Sequence, residues 1–175
     1  YFHMDLINYI RDIPDFPKKG ILYKDISPLL QNKKAFSYTT EQFYKRHLDN
    51  KIDLIVGIEA RGFIFGSSLA NKLGCGFVPI RKPNKLPHDT FKQNYSLEYG
   101  TDSIEIHKDA LKNKDNVLLI DDVLATGGTA CAAIDLLENF NSNLVECLFV
   151  LELSFLKGID KILKRKKKYF SLLQV

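Results

Sequence analysis

The chain reads as an α/β protein, a parallel β-sheet with helices on both faces. Three observations predict this. Short apolar runs alternate along the chain with amphipathic stretches of helical period. The apolar runs carry almost no polar alternation, as strands buried on both faces require. No internal repeat, low-complexity tract or linker interrupts the pattern, so the 175 residues fit one domain. A soluble chain of this length buries roughly two-thirds of its unfolded surface and needs no disulfide or metal to hold a core.

The elements follow in order. Tyr1-Phe2-His3-Met4 read as the tail of a cloning tag before a native initiator, which leaves 5–175 as the domain. Asp5-Leu6-Ile7-Asn8-Tyr9 lacks the basic region and long apolar run of a signal peptide. Residues 12–30 are rich in Pro and Gly and predict an extended or turning segment. Phe36, Phe43, Tyr44 and Leu48 predict a first helix. Leu54-Ile55-Val56-Gly57-Ile58 predicts a strand. After it, Ile64, Phe65, Leu69, Ala70 and Leu73 recur at helical spacing, and Gly74 stops the helix. Phe77-Val78-Pro79-Ile80 predicts the next strand. Residues 81–107 break the alternation, opening with a basic loop that carries Pro83 and Pro87. Two short alternating runs follow, Tyr95-Ser96-Leu97-Glu98-Tyr99 and Ser103-Ile104-Glu105-Ile106. Gly100-Thr101-Asp102 separates them, which predicts a β-hairpin projecting from the core. A loop this long inside a domain serves as a lid or binding loop, or is disordered. Val117-Leu118-Leu119-Ile120 and Cys147-Leu148-Phe149-Val150-Leu151 predict two more strands. Between them a helix runs from Thr129 through Ala130, Ala133, Ile134 and Leu137.

Composition excludes several classes. No apolar run reaches about 18 residues, so no membrane span is expected. Cys75, Cys131 and Cys147 are too few and too scattered for a disulfide framework or a zinc knuckle, and fit thiols in a reducing cytoplasm. A net charge of +4 suits a handler of polyanionic small molecules and does not argue for nucleic acid. The basic run from Lys161 to Lys168, with Lys164-Arg165-Lys166-Lys167-Lys168 at its centre, reads as a solvated face or loop without assigned function.

The chemistry-bearing signal is Val117-Leu118-Leu119-Ile120-Asp121-Asp122-Val123-Leu124-Ala125-Thr126-Gly127-Gly128-Thr129. A buried strand ends in two carboxylates, and a loop of small residues leads into a helix. Gly127 and Gly128 allow a tight turn and close approach to a ligand. Thr126 and Thr129 offer hydroxyls, and the N–H groups of a helix start attract phosphate. Asp121 and Asp122 would repel that phosphate, so they are expected one step away, on sugar hydroxyls or beside a cation. The alternative is a strand turning into a helix with exposed aspartates. No Gly-Lys-Ser/Thr follows the glycines, which excludes a Walker loop, and Gly74-Cys75-Gly76 lacks the third glycine of a dinucleotide fingerprint.

The string from Ile120 to Thr129 resembles the diphosphoribosyl-binding motif of type I phosphoribosyltransferases. Further segments resemble the adenine branch of that family: Phe16-Pro17-Lys18-Lys19-Gly20-Ile21-Leu22-Tyr23-Lys24-Asp25-Ile26-Ser27-Pro28, Gly57-Ile58-Glu59-Ala60-Arg61-Gly62-Phe63, Ile80-Arg81-Lys82-Pro83-Asn84-Lys85-Leu86-Pro87, Tyr95-Ser96-Leu97-Glu98-Tyr99-Gly100 and Ser171-Leu172-Leu173-Gln174. Lys19 stands where a proline is usual, and Val123 where leucine is commoner.

The resemblance implies a Rossmann-like sheet, an N-terminal base-binding hood over 5–33 and a flexible catalytic loop over 81–107. It implies transfer of a phosphoribosyl group from phosphoribosyl pyrophosphate to adenine in purine salvage. Asp121, Asp122, Ala125, Thr126, Gly127, Gly128 and Thr129 would hold the phosphoribosyl group. Glu59, Ala60, Arg61, Arg81, Lys82, Lys85 and Tyr99 would meet the pyrophosphate, with a cis peptide at Glu59-Ala60. Arg61 would act by bidentate charge, the alternative being a surface salt bridge. Tyr99 would close over the ligand or simply pack. Glu98 would accept a proton from, or hydrogen-bond, the adenine ring nitrogens. Main-chain atoms of Leu22 and Lys24 would meet the base edge, and Tyr23 would stack on its face. Magnesium would arrive with the substrate rather than in a protein cage. A cytoplasmic homodimer is expected, in which the basic loop reaches the neighbouring subunit. The competing expectations are a 6-oxopurine or orotate transferase, and a phosphoribosyl-pyrophosphate-sensing regulator of nucleic acid.

Overall fold

In the computed structural model, which describes residues 2–97 and 99–175, the four apolar runs and one further strand near the carboxyl end form a sheet of five parallel strands. Contacts group the chain into two compact units that meet between Gln42 and Phe43. In the first, β1 (Arg11–Pro14) and β2 (Leu22–Asp25) form an antiparallel pair, followed by the short helix α1 (Ser27–Gln31). This is more regular than the extended or turning segment expected. Polar groups inside the turn explain it: Gly20 N–H donates to Asp15 Oδ1 at 2.7 Å, and Phe16 N–H to Ile21 O at 3.1 Å. Asp15 and Gly20 both take positive φ, at 55° and 88°, values that Asp and Gly accept with least strain. Helix α2 (Lys33–His47) carries the chain on into the second unit.

The second unit alternates as expected through β3 (Leu54–Ile58), α3 (Arg61–Leu73), β4 (Gly76–Ile80), a hairpin of β5 (Thr90–Ser96) and β6 (Thr101–His107), β7 (Asn116–Leu124), α4 (Gly128–Leu137) and β8 (Asn143–Glu152). The sequence pattern did not predict the α5 (Gly158–Lys164) and β9 (Tyr169–Gln174) that follow. The sheet order is β4-β3-β7-β8-β9. From β3 the chain steps outward to β4, and from β7 it steps the other way to β8 and β9. The order therefore reverses between β3 and β7, and a crevice opens at the carboxyl ends of those two strands. Alternation along β7 assigns its faces. Val117 and Leu119 join Ala133, Ile134 and Leu137 of α4 in one buried cluster, while Ile120 lies against Gly66 of α3. Helices thus cover both faces, as a parallel sheet requires. Gly74 ends α3 at φ 75°, as its sequence position predicts. No helix among the described residues is long and apolar enough to cross a membrane.

Two boundaries move from the sequence reading. Strand β7 continues through Asp121 and Asp122 to Leu124, because β8 pairs with it to the end, Val123 with Leu151 and Leu124 with Glu152. The hairpin strands start at Thr90 and Thr101 rather than at Tyr95 and Ser103. A seven-rung ladder from Thr90–His107 to Ser96–Thr101 lets Phe91 and Tyr95 pack on the core, and that burial outweighs the local alternation on which the sequence reading relied.

Candidate active site

At the crevice between β3 and β7 lies a cavity of about 250 Å³. Ile58, Glu59, Ala60 and Arg61 line it from the end of β3 and the first turn of α3, Asp121 and Asp122 from β7, and Thr129 from α4. Lys82 and Ile104 complete the lining. Its size is just below the roughly 300 Å³ at which small-molecule pockets begin, which is room for part of a ligand.

The two aspartates are not equivalent. Asp122 is buried, and its Oδ2 accepts a hydrogen bond from Arg61 Nε, whose side chain is half exposed. Asp122 N–H donates to Asp121 Oδ1 at 2.8 Å. Burial first, and then the neighbouring Asp122 carboxyl, push the Asp121 carboxyl well above the usual carboxylate range. Gly62 permits this arrangement, since a Cβ there would come within 2.9 Å of Ile120 O and 3.1 Å of Asp121 Oδ1. The absent side chain lets the start of α3 sit directly on β7.

Glu59 N–H donates to Ile80 O at 2.9 Å, and the Glu59–Ala60 peptide is cis, as the resemblance implied. The Glu59 carboxylate is bonded within the chain. It accepts from Arg81 Nε at 2.8 Å and from Lys82 N–H at 3.3 Å. Burial raises the Glu59 carboxyl, but those two bonds, with the charges of Arg81 and Lys85, outweigh it and leave the group below its ordinary value. Lys82 turns its ammonium to the hairpin, where it pairs with Asp102 and donates to Tyr95 Oη at 3.1 Å. Burial lowers the Lys82 ammonium, and these two partners more than restore it.

Ala125, Thr126 and Gly127 form the turn from β7 into α4, which begins at Gly128, so amides of the first helical turn point out of its end. Gly127 has φ 85° and packs against Gly158, where a Cβ on Gly127 would lie 2.7 Å from Gly158 O. The converse contact is closer still, 2.5 Å from a Gly158 Cβ to Ala125 O.

Glu59, Ala60, Arg61, Lys82, Asp121, Asp122 and Thr129 therefore share one cavity, and the glycine turn adjoins it. Arg81 is engaged with Glu59 beside the cavity, and Tyr99 is 81% exposed. Glu98 lies outside the described residues. Leu22, Tyr23 and Lys24 lie on β2 of the first unit, with Lys24 Nζ 2.7 Å from Asp12 Oδ1 and the Tyr23 ring edge-on to Phe16 at 5.2 Å. Sequence reasoning missed Asp102, Tyr95 and Gly158. Tyr95 opens a segment that carries the family resemblance, but without a role of its own there, and only the hairpin register and the start of α5 bring the three residues to the site. The basic run is partly neutralised, Arg165 by Asp135 at 2.9 Å and Lys167 by Glu138 at 3.2 Å.

A parallel sheet whose switch point joins two aspartates, an arginine and a helix start in one crevice defines a class, and the comparisons agree with it. The family described as "Phosphoribosyl transferase domain" matches residues 25–174. A relative named adenine phosphoribosyltransferase in Christiangramia forsetii is 56% identical over 159 residues, covering 91% of this chain and 93% of its own. The crystal structure of adenine phosphoribosyltransferase from Thermoanaerobacter pseudethanolicus superposes with a TM-score of 0.92 at 49% identity, covering 97% of this chain and 98% of its own. That from Saccharomyces cerevisiae, complexed with an imino-altritol bisphosphate and adenine, gives 0.89 at 44% identity, with 96% of each chain covered. The chain belongs to the phosphoribosyltransferase family and, within it, to the adenine phosphoribosyltransferases.

Proposed function

We propose that this chain moves the 5-phosphoribosyl group of phosphoribosyl pyrophosphate onto adenine, giving AMP and pyrophosphate in purine salvage. The observation that carries this reading is the convergence, at one cavity, of a helix start for phosphate, a carboxylate pair for sugar hydroxyls, and cationic side chains for a leaving pyrophosphate. The transition state is electron-poor at the sugar and electron-rich at the leaving group, so positive charge belongs beside the pyrophosphate. Arg61 and Lys82 supply it from the cavity wall, Arg81 and Lys85 add positive charge around Glu59, and Tyr99 would close over the ligand. Ala125 to Thr129 hold the 5′-phosphate, and Asp121 and Asp122 face the ribose. Leu22 and Lys24 main-chain atoms meet the base edge, and Tyr23 its face.

Magnesium fits the donor set as the substrate's counter-ion. Asp121 and Asp122 present hard oxygens at the cavity, but Asp122 is already neutralised by Arg61, so the chain offers outer contacts rather than a cage. The ion supplies charge neutralisation on the pyrophosphate. A homodimer in the cytoplasm completes the reading, and the free thiols Cys75, Cys131 and Cys147 suit that compartment. Sedimentation of the purified chain tests the dimer.

Purified protein with phosphoribosyl pyrophosphate, magnesium and a panel of adenine, hypoxanthine, guanine and orotate tests the activity. Pyrophosphate release with adenine alone is expected, and release only with another base overturns the assignment. Glu98→Gln is expected to lower kcat by about a hundredfold while phosphoribosyl pyrophosphate affinity holds. Steady-state kinetics with both substrates varied checks this, and equal losses in both parameters count against an acid–base role. Gly158→Ala forces Ala125 O or the start of α5 to move. It is expected to raise KM for phosphoribosyl pyrophosphate by roughly tenfold or more. An unchanged KM would show that the glycine turn does not set the phosphate site.

A further inference from the structure

Lys82 is a cavity cation whose counter-ion lies outside the cavity wall. Its ammonium pairs with Asp102 of β6 and donates to the Tyr95 hydroxyl of β5, which in turn donates to Asp102 Oδ2 at 3.1 Å. Asp102 is held without help from Lys82, because its Oδ1 accepts the Ser103 N–H at 2.8 Å and Tyr95 faces it across the hairpin ladder. The Tyr95 ring also packs on the start of α4, 3.7 Å from where a Gly128 Cβ would stand. The hairpin thus fixes one carboxylate beside the phosphate turn, within reach of the ammonium.

We infer that Asp102 is a positioning residue that holds the place of pyrophosphate at Lys82, releasing the ammonium when the polyanion enters and taking it back when the polyanion leaves. The inference deepens the proposed function and rests on it. The two carboxylates at the cavity cations differ in the property that matters. Asp122 is buried, and losing its arginine would strand a charge, so that pair stays together. Lys82 and Asp102 have side chains 40% and 32% exposed, and an ion pair so open to water is worth little. A pyrophosphate carrying several negative charges outcompetes a single carboxylate for the same ammonium. Asp102 then holds the Lys82 ammonium at the hairpin beside the cavity in the empty enzyme, limits product affinity and favours pyrophosphate release.

Titration calorimetry with magnesium pyrophosphate tests this on the full chain. Asp102→Asn is expected to bind about two- to fivefold tighter than the wild type, the range a weak competing pair sets. Tyr95→Phe, which keeps the ring and removes the bridging hydroxyl, is expected to shift affinity the same way by less. In a Lys82→Met background, Asp102→Asn is expected to add nothing. Unchanged or weaker binding by Asp102→Asn overturns the inference, as does weaker binding by Tyr95→Phe. An equal gain in the Lys82→Met background also overturns it, since that would be a general field effect. No binding by the wild type would overturn both this exchange and the pyrophosphate reading of the cavity. Wild-type binding without the Asp102→Asn gain sinks the exchange alone.

Discussion

Arg61→Ala is expected to lower kcat/KM for phosphoribosyl pyrophosphate by roughly a thousandfold, the upper range for removing one preorganised donor from a site where charge develops. The side chain has two jobs in one place. Its Nε neutralises the buried Asp122 carboxylate, and its half-exposed guanidinium lines the cavity. Alanine removes the positive charge that the leaving group needs and leaves Asp122 without that partner, so a net negative charge faces an incoming polyanion. Arg61→Lys should recover little, because an ammonium cannot reproduce the planar fork that satisfies a carboxylate and a phosphate together. Steady-state kinetics on the two variants check this. A kcat/KM within about threefold of the wild type for Arg61→Ala would move the pyrophosphate contact elsewhere.

Glu146→Gln is expected to cost about 3 kcal/mol of folding stability near neutral pH, the range for breaking a buried ion pair. Glu146 of β8 is buried and takes three bonds: Arg46 Nε and Nη2, each at 2.7 Å, and His47 Nε2 at 2.9 Å. Asn50 Nδ2 lies 3.0 Å from His47 Nδ1. The Arg46 guanidinium stacks on Phe170 at 4.0 Å and so fastens the end of α2 to β9 as well. Burial raises the Glu146 carboxyl, but the bonds and charges of Arg46 and His47 more than reverse this and bring it to about 2. A group whose folded value lies below its unfolded one stabilises the fold above the unfolded value and loses that contribution as the pH falls. From 4.5 to about 2 the loss amounts to about 3 kcal/mol, taken up progressively between pH 5 and 2. Urea unfolding from pH 7 downward should show this decline in the wild type and not in Glu146→Gln. Parallel profiles for the two proteins would contradict it.

These two residues show what the sequence carries and what it withholds. The centres of β3, β4, β7 and β8 were legible because a strand buried on both faces has to be almost wholly apolar, and such runs are rare elsewhere in this chain. Their ends were not. Asp121 and Asp122 read as the end of the strand by composition, yet β8 pairs alongside them and carries the strand on through Leu124. Strand β9 sits beyond a lysine-rich stretch at the edge of the sheet, where half-buried residues give a weak pattern. The phosphate turn could be read locally, since strand, acids, glycines and helix are contiguous. Asp102 and Gly158 reach the site only through tertiary register, and Glu146 meets its partners across 99 and 100 residues of sequence. No local spacing encodes contacts of that kind.

Amide hydrogen exchange across residues 121–129, with and without magnesium and saturating phosphoribosyl pyrophosphate, measures the central claim directly. The exposed amides of the glycine turn and first helical turn should gain strong protection while those of the β5–β6 strands change little, because only the former point at a bound 5′-phosphate. Full turnover of adenine with no change in exchange across 125–129 would place the phosphate somewhere else.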